Sequence, residues 1–380
     1  MTEILLESKS AEGDAPPPLL STSVVTPSES LDGWVVVDSL VDGMAMGGTR
    51  MTGSVSEAEV RALARAMTVK LGLVGLPIGG AKAGIVAVPG RREQALRSFG
   101  RAVAPLLHGG VYLGCDQGTT HADRDLFFAE AGYDLKRNTR ASRLPTDWAS
   151  FWTHLVDITG FGVSVGTLTA LEAGGWTTSR RVAIQGFGTV GRGVAKTLEA
   201  RGHRIVAVAD VAGTVSDPSG LPVRDLLAIT DTAGTIDRSK LPDVVTVSAE
   251  PEAWLDVDAD VLILAAGGDA IRSDNVRRVS ADLVVEGGNL CCSPQAKERM
   301  RSAGTVVLPD VVANVGGAAV TGCVLTGAVP ELPLKETVNW LFDWVEQRVR
   351  RNSRDVLEIA RGGTGDPVPG LLADRRRMGW

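Results

Sequence analysis

The run Val182–Asp210, VAIQGFGTVGRGVAKTLEARGHRIVAVAD, constrains this chain more than any other. Gly186, Gly188 and Gly191 form a G-x-G-x-x-G turn between an apolar strand and a helix, and the next strand ends in Asp210, 19 residues past the last glycine. The first glycine permits a tight turn, the second lets backbone approach a pyrophosphate, and the third lets helix and strand pack closely. The helix N-terminus offers unpaired N–H groups to phosphate oxygens. A carboxylate ending the second strand accepts hydrogen bonds from an adenosine ribose and repels a 2′-phosphate, so NAD is the expected coenzyme, with NADP possible.

From 181 to 309 short β-rich runs (RVAIQ, RIVAVAD, VVTV, DVLILAA, LVVEGG, TVVLPD) alternate with helical stretches. That alternation predicts an open, mostly parallel, doubly wound sheet of the Rossmann type. With 380 residues the chain has room for a second α/β domain before it. There, Gly33–Leu40 reads as a buried strand, and Ser54 or Ser56 caps a helix whose Val60, Leu63, Ala64, Met67 and Leu71 share a face. Residues 1–30, rich in Ser, Pro and Ala, read as a flexible arm, and 363–380 as a basic tail.

Composition excludes several classes. A net charge of −6 argues against nucleic-acid or anionic-membrane binding. The four cysteines and four histidines show no metal-ligand spacing, so no metal is expected. Without a signal peptide or an 18-residue apolar run, the chain reads as soluble and cytoplasmic.

Lys70 and Lys82 lie twelve residues apart, the second inside Gly79-Gly80-Ala81-Lys82-Ala83-Gly84. Small neighbours let backbone or substrate come close to the ammonium. Two lysines on one pocket depress each other's pKa, so one can act as a neutral base while the other holds a carboxylate; two solvated lysines flanking a turn are the plainer reading. A phosphate-loop reading of GLPIGGAK fails, because no hydroxyl residue follows Lys82 and alanine separates it from Gly80. Asp116, in GCDQGTT, suits a general acid/base or a simple turn former.

Together these segments resemble the glutamate/leucine/phenylalanine/valine dehydrogenase family. The resemblance covers about residues 33–325 and runs through MGGTRM (46–51), AMTVKLGLVGLPIGGAKAGI (66–85), CDQGTT (115–120), ITGFGV (158–163), VADVAGTVSDPSGL (208–221), EGGN (286–289) and LPDVVANVGGAAVT (308–321) in order. It implies a substrate domain at 31–155 and a coenzyme domain at 156–329, with the active site in the cleft between them. The C-terminal helix at 330–362 is expected to pack back on the first domain, and a homo-oligomer is expected. By the same resemblance Lys70 holds the substrate α-carboxylate, Lys82 activates the water that attacks an imine carbon, and Asp116 shuttles protons. Met46, Gly47, Gly80, Asn314 and Thr321 complete the expected substrate site. The expected coenzyme contacts are Thr159, Gly186, Phe187, Gly188, Thr189, Val190, Gly191, Asp210, Ala265, Asn289 and Asn314. The implied reaction is oxidative deamination of an L-amino acid through an iminium and a carbinolamine to the 2-oxo acid and ammonium.

Glutamate-specific members of the family carry a lysine where this chain has Met46. A side-chain carboxylate buried against a thioether stays unpaired, which favours an apolar substrate. Thr321 points the other way, toward a glutamate enzyme that recognises the side chain through this hydroxyl and a basic residue outside the usual motif. The aromatic stretch LPTDWASFWTHLVDI (144–158) suits either a large apolar pocket or domain packing. A non-catalytic homologue that binds dinucleotide or amino acid is the remaining alternative, and intact Lys70, Lys82 and Asp116 argue against it.

Overall fold

The computed structural model describes residues 16–363 and 365–377. Strands β1 (Leu20–Thr26), β2 (Leu31–Val37), β3 (Ala45–Thr52), β4 (Gly79–Val86) and β5 (Val111–Cys115) form one sheet in the order β1-β2-β4-β3-β5. β3 runs parallel to both β4 and β5, while β1 and β2 are antiparallel additions. The helix Glu57–Leu73 begins at Ser56, whose hydroxyl accepts a hydrogen bond from Glu59 N. Val60, Leu63, Ala64, Met67 and Leu71 are buried along it, as their helical spacing requires.

The second sheet comprises β6 (Arg181–Gln185), β7 (Arg204–Asp210), β8 (Gly213–Ser216), β9 (Thr246–Ser248), β10 (Val261–Leu264), β11 (Leu283–Glu286) and β12 (Val306–Leu308). Its order is β12-β11-β10-β6-β7-β8-β9, with β12 through β7 parallel and β8 and β9 antiparallel at one edge. Alternate residues serve opposite faces: Val261 and Ile263 join one core with the helices Ile158–Ala173 and Thr189–Ala200, while Leu262 and Leu264 join another with Trp254 and Met300. This is the doubly wound layering expected from sequence. β8, a four-residue hairpin partner of β7, escaped that reading.

The helix Ile158–Ala173 lies between the two sheets. Ile158 and Val165 pack in the first domain's core, and Val163, Ala170 and Leu171 in the second's. The stretch Trp148–Ala173 is long and apolar enough to cross a membrane, contrary to the sequence reading, but 72% of its most apolar part is buried inside the fold.

Three boundary expectations need correction. Of the arm at 1–30, residues 1–15 lie outside the described residues, but 20–26 are an ordered edge strand paired to β2 along its whole length. Its Ser/Thr content suits an edge that is covered on one side only. The helix Leu334–Arg361 does not rest on the first domain alone. Leu341 and Val345 join the first core, Val356 and Leu357 the second, and Arg348 and Asn352 donate to the carbonyls of Val74 and Leu73. Within 363–380, the helix Val368–Arg377 buries Leu371, and Arg375 donates to Asn352 Oδ1 and Asp355 Oδ2. That segment is a docked helix, held by an ion pair and by Leu371, with Val368 and Leu372 packed against the same core.

Candidate active site

On β4, Gly80 and Gly84 share a face with Lys82. A Cβ on Gly80 would collide with Thr68 N, and one on Gly84 would lie 2.5 Å from Val60 Cγ2. The glycines therefore let the helix Glu57–Leu73 lie directly on the strand, and Lys70 at its C-terminal turn comes to the same region as Lys82. Gly47 on β3 plays the same part between strands, since a Cβ there would collide with Ala81 O.

Asp116 follows β5 and meets two cations through one oxygen. Lys82 Nζ and Arg50 Nε each lie 3.0 Å from Asp116 Oδ2, and Arg50 also pairs with Glu59. Burial pushes the Asp116 carboxyl up, but Lys82 and Arg50 outweigh it and pull the pKa down to about 2. Asp116 is thus a carboxylate at neutral pH. Burial pushes the Lys70 ammonium down, Asp310 opposes this, and the charge of Lys82 adds to it.

Across the cleft, Lys70 Nζ donates to Asn289 Oδ1 at 2.6 Å. Asn314 Nδ2 reaches the same oxygen at 3.2 Å and the carbonyl of Gly288 at 2.8 Å. Among the described residues Asn314 Oδ1 is buried without a hydrogen-bond partner. Thr159 Oγ1 accepts from Gly317 N at 3.1 Å, at the start of the helix Gly316–Thr326.

These groups open on one interdomain cavity of about 410 Å³. Its wall brings together Met46, Gly47, Lys70, Lys82, Asp116, Thr159, Val190, Ala265, Asn289, Asn314 and Thr321 of the residues singled out from sequence. Thr321 spends its hydroxyl on Gly317 O within its own helix. Tyr112, Trp148 and Trp152 line one side, the Trp148 ring 6.3 Å from Tyr112 and 6.0 Å from Trp152. Beside them Arg124 stacks over Trp148 at 5.7 Å and donates to Asp125.

Gly80 is not on this wall; it serves helix packing, as above. The dinucleotide turn lies apart from the wall as well, joined to it through Val190 and Ala265. Gly186 adopts φ +94°, and a Cβ on it would come within 2.7 Å of the Ala265–Ala266 peptide. Nothing lies within 4 Å of a Cβ on Gly188, which caps the 12-residue helix Thr189–Ala200, so the turn is open to a phosphate on that side. An open glycine turn and an orphaned amide oxygen at Asn314 fit a nicotinamide dinucleotide. Two expectations change here. The Phe187 side chain is buried in the core, leaving only its backbone for coenzyme. Asp210 is not a free ribose acceptor: Arg238 Nη1 and Nη2 each donate to it at 2.6 Å, and the amides of Ile236 and Ala212 complete four bonds.

Sequence reasoning missed Arg50, Tyr112, Arg124 and Arg238. Arg50 carried a signal, a basic residue inside the glycine-rich buried run MGGTRM. The others carry none, because their partners lie in other elements.

Comparison with known proteins identifies the family. The family profile of Glutamate/Leucine/Phenylalanine/Valine dehydrogenase matches residues 153–352, and that of the Glu/Leu/Phe/Val dehydrogenase dimerisation domain matches 24–130. An NADP(+)-dependent glutamate dehydrogenase of Pyrobaculum calidifontis is 34% identical over 344 residues, 87% of this chain and 78% of that protein. Glutamate dehydrogenase A2 of Halobacterium salinarum is 36% identical over 292 residues, 73% of this chain and 68% of that protein. The crystal structure of a hetero-hexameric glutamate dehydrogenase from Thermus thermophilus superposes with a TM-score of 0.72 at 27% identity, covering 94% of this chain and 87% of the other. The two-domain fold, the interdomain lysine–aspartate site and these matches establish that the chain belongs to the glutamate/leucine/phenylalanine/valine dehydrogenase family, as an NAD(P)-dependent amino-acid dehydrogenase.

Proposed function

We propose that this enzyme carries out the reversible oxidative deamination of an L-amino acid with an apolar side chain. One observation carries the reading: the cavity that holds Lys70, Lys82 and Asp116 is walled by Met46, Tyr112, Trp148 and Trp152. A side chain resting there meets a thioether and three rings, which reward apolar area. The Lys70 ammonium binds the substrate α-carboxylate, sharing or replacing its bond to Asn289. A nicotinamide dinucleotide would supply the hydride acceptor, and Thr159, Asn289, Asn314 and the turn Gly186–Gly191 would hold it. Lys82 activates the water that attacks the iminium carbon, and Asp116, hydrogen-bonding distance away, moves protons at the substrate nitrogen. Closure of the cleft around substrate would keep other water from the iminium.

A second reading rests on Arg124, a buried guanidinium on the same wall: a glutamate side chain reaches it in place of the family's usual lysine. A homo-oligomer belongs to the proposal, supported by the match of residues 24–130 to the family's dimerisation domain. A reducing compartment such as the cytoplasm suits its four unpaired cysteines.

The test is reduced-coenzyme formation from L-leucine, valine, phenylalanine, tryptophan and glutamate, with NAD and with NADP. An apolar member should exceed glutamate in kcat/KM by at least about tenfold. Met46→Lys should then move the ratio toward glutamate by about 10–100-fold. Glutamate as the preferred substrate of the unaltered enzyme, lost in Arg124→Met, would favour the second reading.

A further inference from the structure

The carboxylate that ends β7 is the one element of the dinucleotide fingerprint that the fold has already used. Asp210 is buried, with 3% of its side chain exposed, and each of its oxygens accepts two hydrogen bonds. A carboxylate offers about four lone-pair sites, so none is left over for ribose hydroxyls. Its charge is also matched, one for one, by the Arg238 guanidinium. Arg238 is held in turn: Nη1 donates to Ile236 O at 2.8 Å and Nη2 to Gly213 O at 3.1 Å.

The segment that delivers Arg238 is fixed to the glycine turn itself. A Cβ on Gly234 would lie 2.5 Å from Phe187 O and 2.8 Å from Gly188 N, so backbone rests on backbone there. Arg192, in the first turn of the following helix, donates to Asp231 O at 3.1 Å. Residues 231–238 therefore keep a set position relative to both halves of the fingerprint, the phosphate turn and the strand-end carboxylate.

We propose that Arg238 is a positioning residue for coenzyme choice: by saturating and neutralising Asp210, it removes the group that reads the ribose hydroxyls and repels a 2′-phosphate. The consequence is a site that takes NADP about as readily as NAD, despite an aspartate at the NAD-type position. Arg238 acts through Asp210, since its own outer nitrogens are all engaged. The inference rests on the reading that this strand end faces the adenosine ribose.

The test is binding of NADH and NADPH to the full chain, followed by coenzyme fluorescence without substrate and so independent of turnover. The unaltered protein should bind the two within about tenfold of each other. Arg238→Gln frees a charged Asp210, and the affinity ratio should shift at least about tenfold toward NADH. Adding Asp210→Asn to that variant should cancel the shift, whereas general damage to the fold would weaken both coenzymes and would not be reversed. Arg238→Lys should keep the starting ratio. Asp210→Asn alone, which leaves the guanidinium uncompensated, should shift the ratio toward NADPH; if Arg238→Gln does not fold, the unaltered protein decides, a preference for NADH of more than about a hundredfold overturning the proposal. A folded Arg238→Gln protein with an unchanged ratio overturns the proposal. If Asp210→Asn still shifts the ratio, only the role of Arg238 falls; if neither variant moves it, the ribose reading falls too.

Discussion

Asp116 and Asp210 make a useful pair. Each follows or ends a parallel strand, β5 in the first sheet and β7 in the second, and each is drawn below the usual carboxylate range by a cation beside it. They differ in what is left over. Lys82 and Arg50 both approach Oδ2 of Asp116, and the group stays on the cavity wall. Asp210 has both oxygens doubly bonded and lies off that wall. A carboxylate with spare acceptor capacity beside a lysine can pass protons to a substrate. One that is saturated can only hold structure and cancel charge.

The largest test of that contrast replaces each in turn by asparagine. Asp116→Asn should lower kcat by about 10²–10⁴-fold while leaving coenzyme affinity in place. Asp210→Asn should keep kcat within about tenfold and change only the coenzyme ratio. Equal losses of turnover in the two variants would erase the distinction. Removing one cation is a finer probe. Arg50→Met leaves Asp116 with Lys82 alone, so its pKa should rise from about 2 and the acid limb of the rate profile should move to higher pH. The accompanying fall in kcat should be smaller, about tenfold, and an unmoved acid limb would show that Arg50 does not tune the carboxylate.

The smallest effect is on stability. Asp116 has a folded pKa of about 2 against an ordinary 3.8, so its ionised form favours the fold above 3.8 and that contribution fades as pH falls toward 2. The contribution is on the order of 2 kcal/mol. Denaturant melts at stepped acid pH should show a shallower loss between those values for Asp116→Asn than for the unaltered chain.

What could be read from the sequence follows from range. The glycine turn, the helix at Glu57–Leu73 and the parallel strands are local patterns, with spacing that reports geometry directly. The glycines around Lys82 hinted at a close approach of helix and strand, but the meeting of Lys70, Lys82 and Asp116 was legible only through the family resemblance. Arg50 reaches Asp116 across 66 positions and Arg238 reaches Asp210 across 28, and no spacing rule connects such pairs. For the same reason Asp210 read as a free ribose acceptor: the motif names the carboxylate and is silent on what else may claim it. β1 and the helix Val368–Arg377 were missed because one is a polar edge strand and the other a basic helix with few apolar anchors. Each is defined by the surface it docks on more than by its own composition.

The helix Ile158–Ala173 has a consequence for how this chain can be taken apart. Coenzyme domains of this kind are contiguous in sequence and look like cassettes that could be exchanged between enzymes. Here the first helix of the cassette gives one face to each core, and Gly162 and Gly166 let the neighbouring segments Ala313 and Leu308 come close. A cut near residue 156 would leave Ile158 and Val165 without their partners and the first domain with an open apolar seam. A chimaera that respects the physics would carry this helix together with both surfaces it seals, including the matching stretch of Leu334–Arg361.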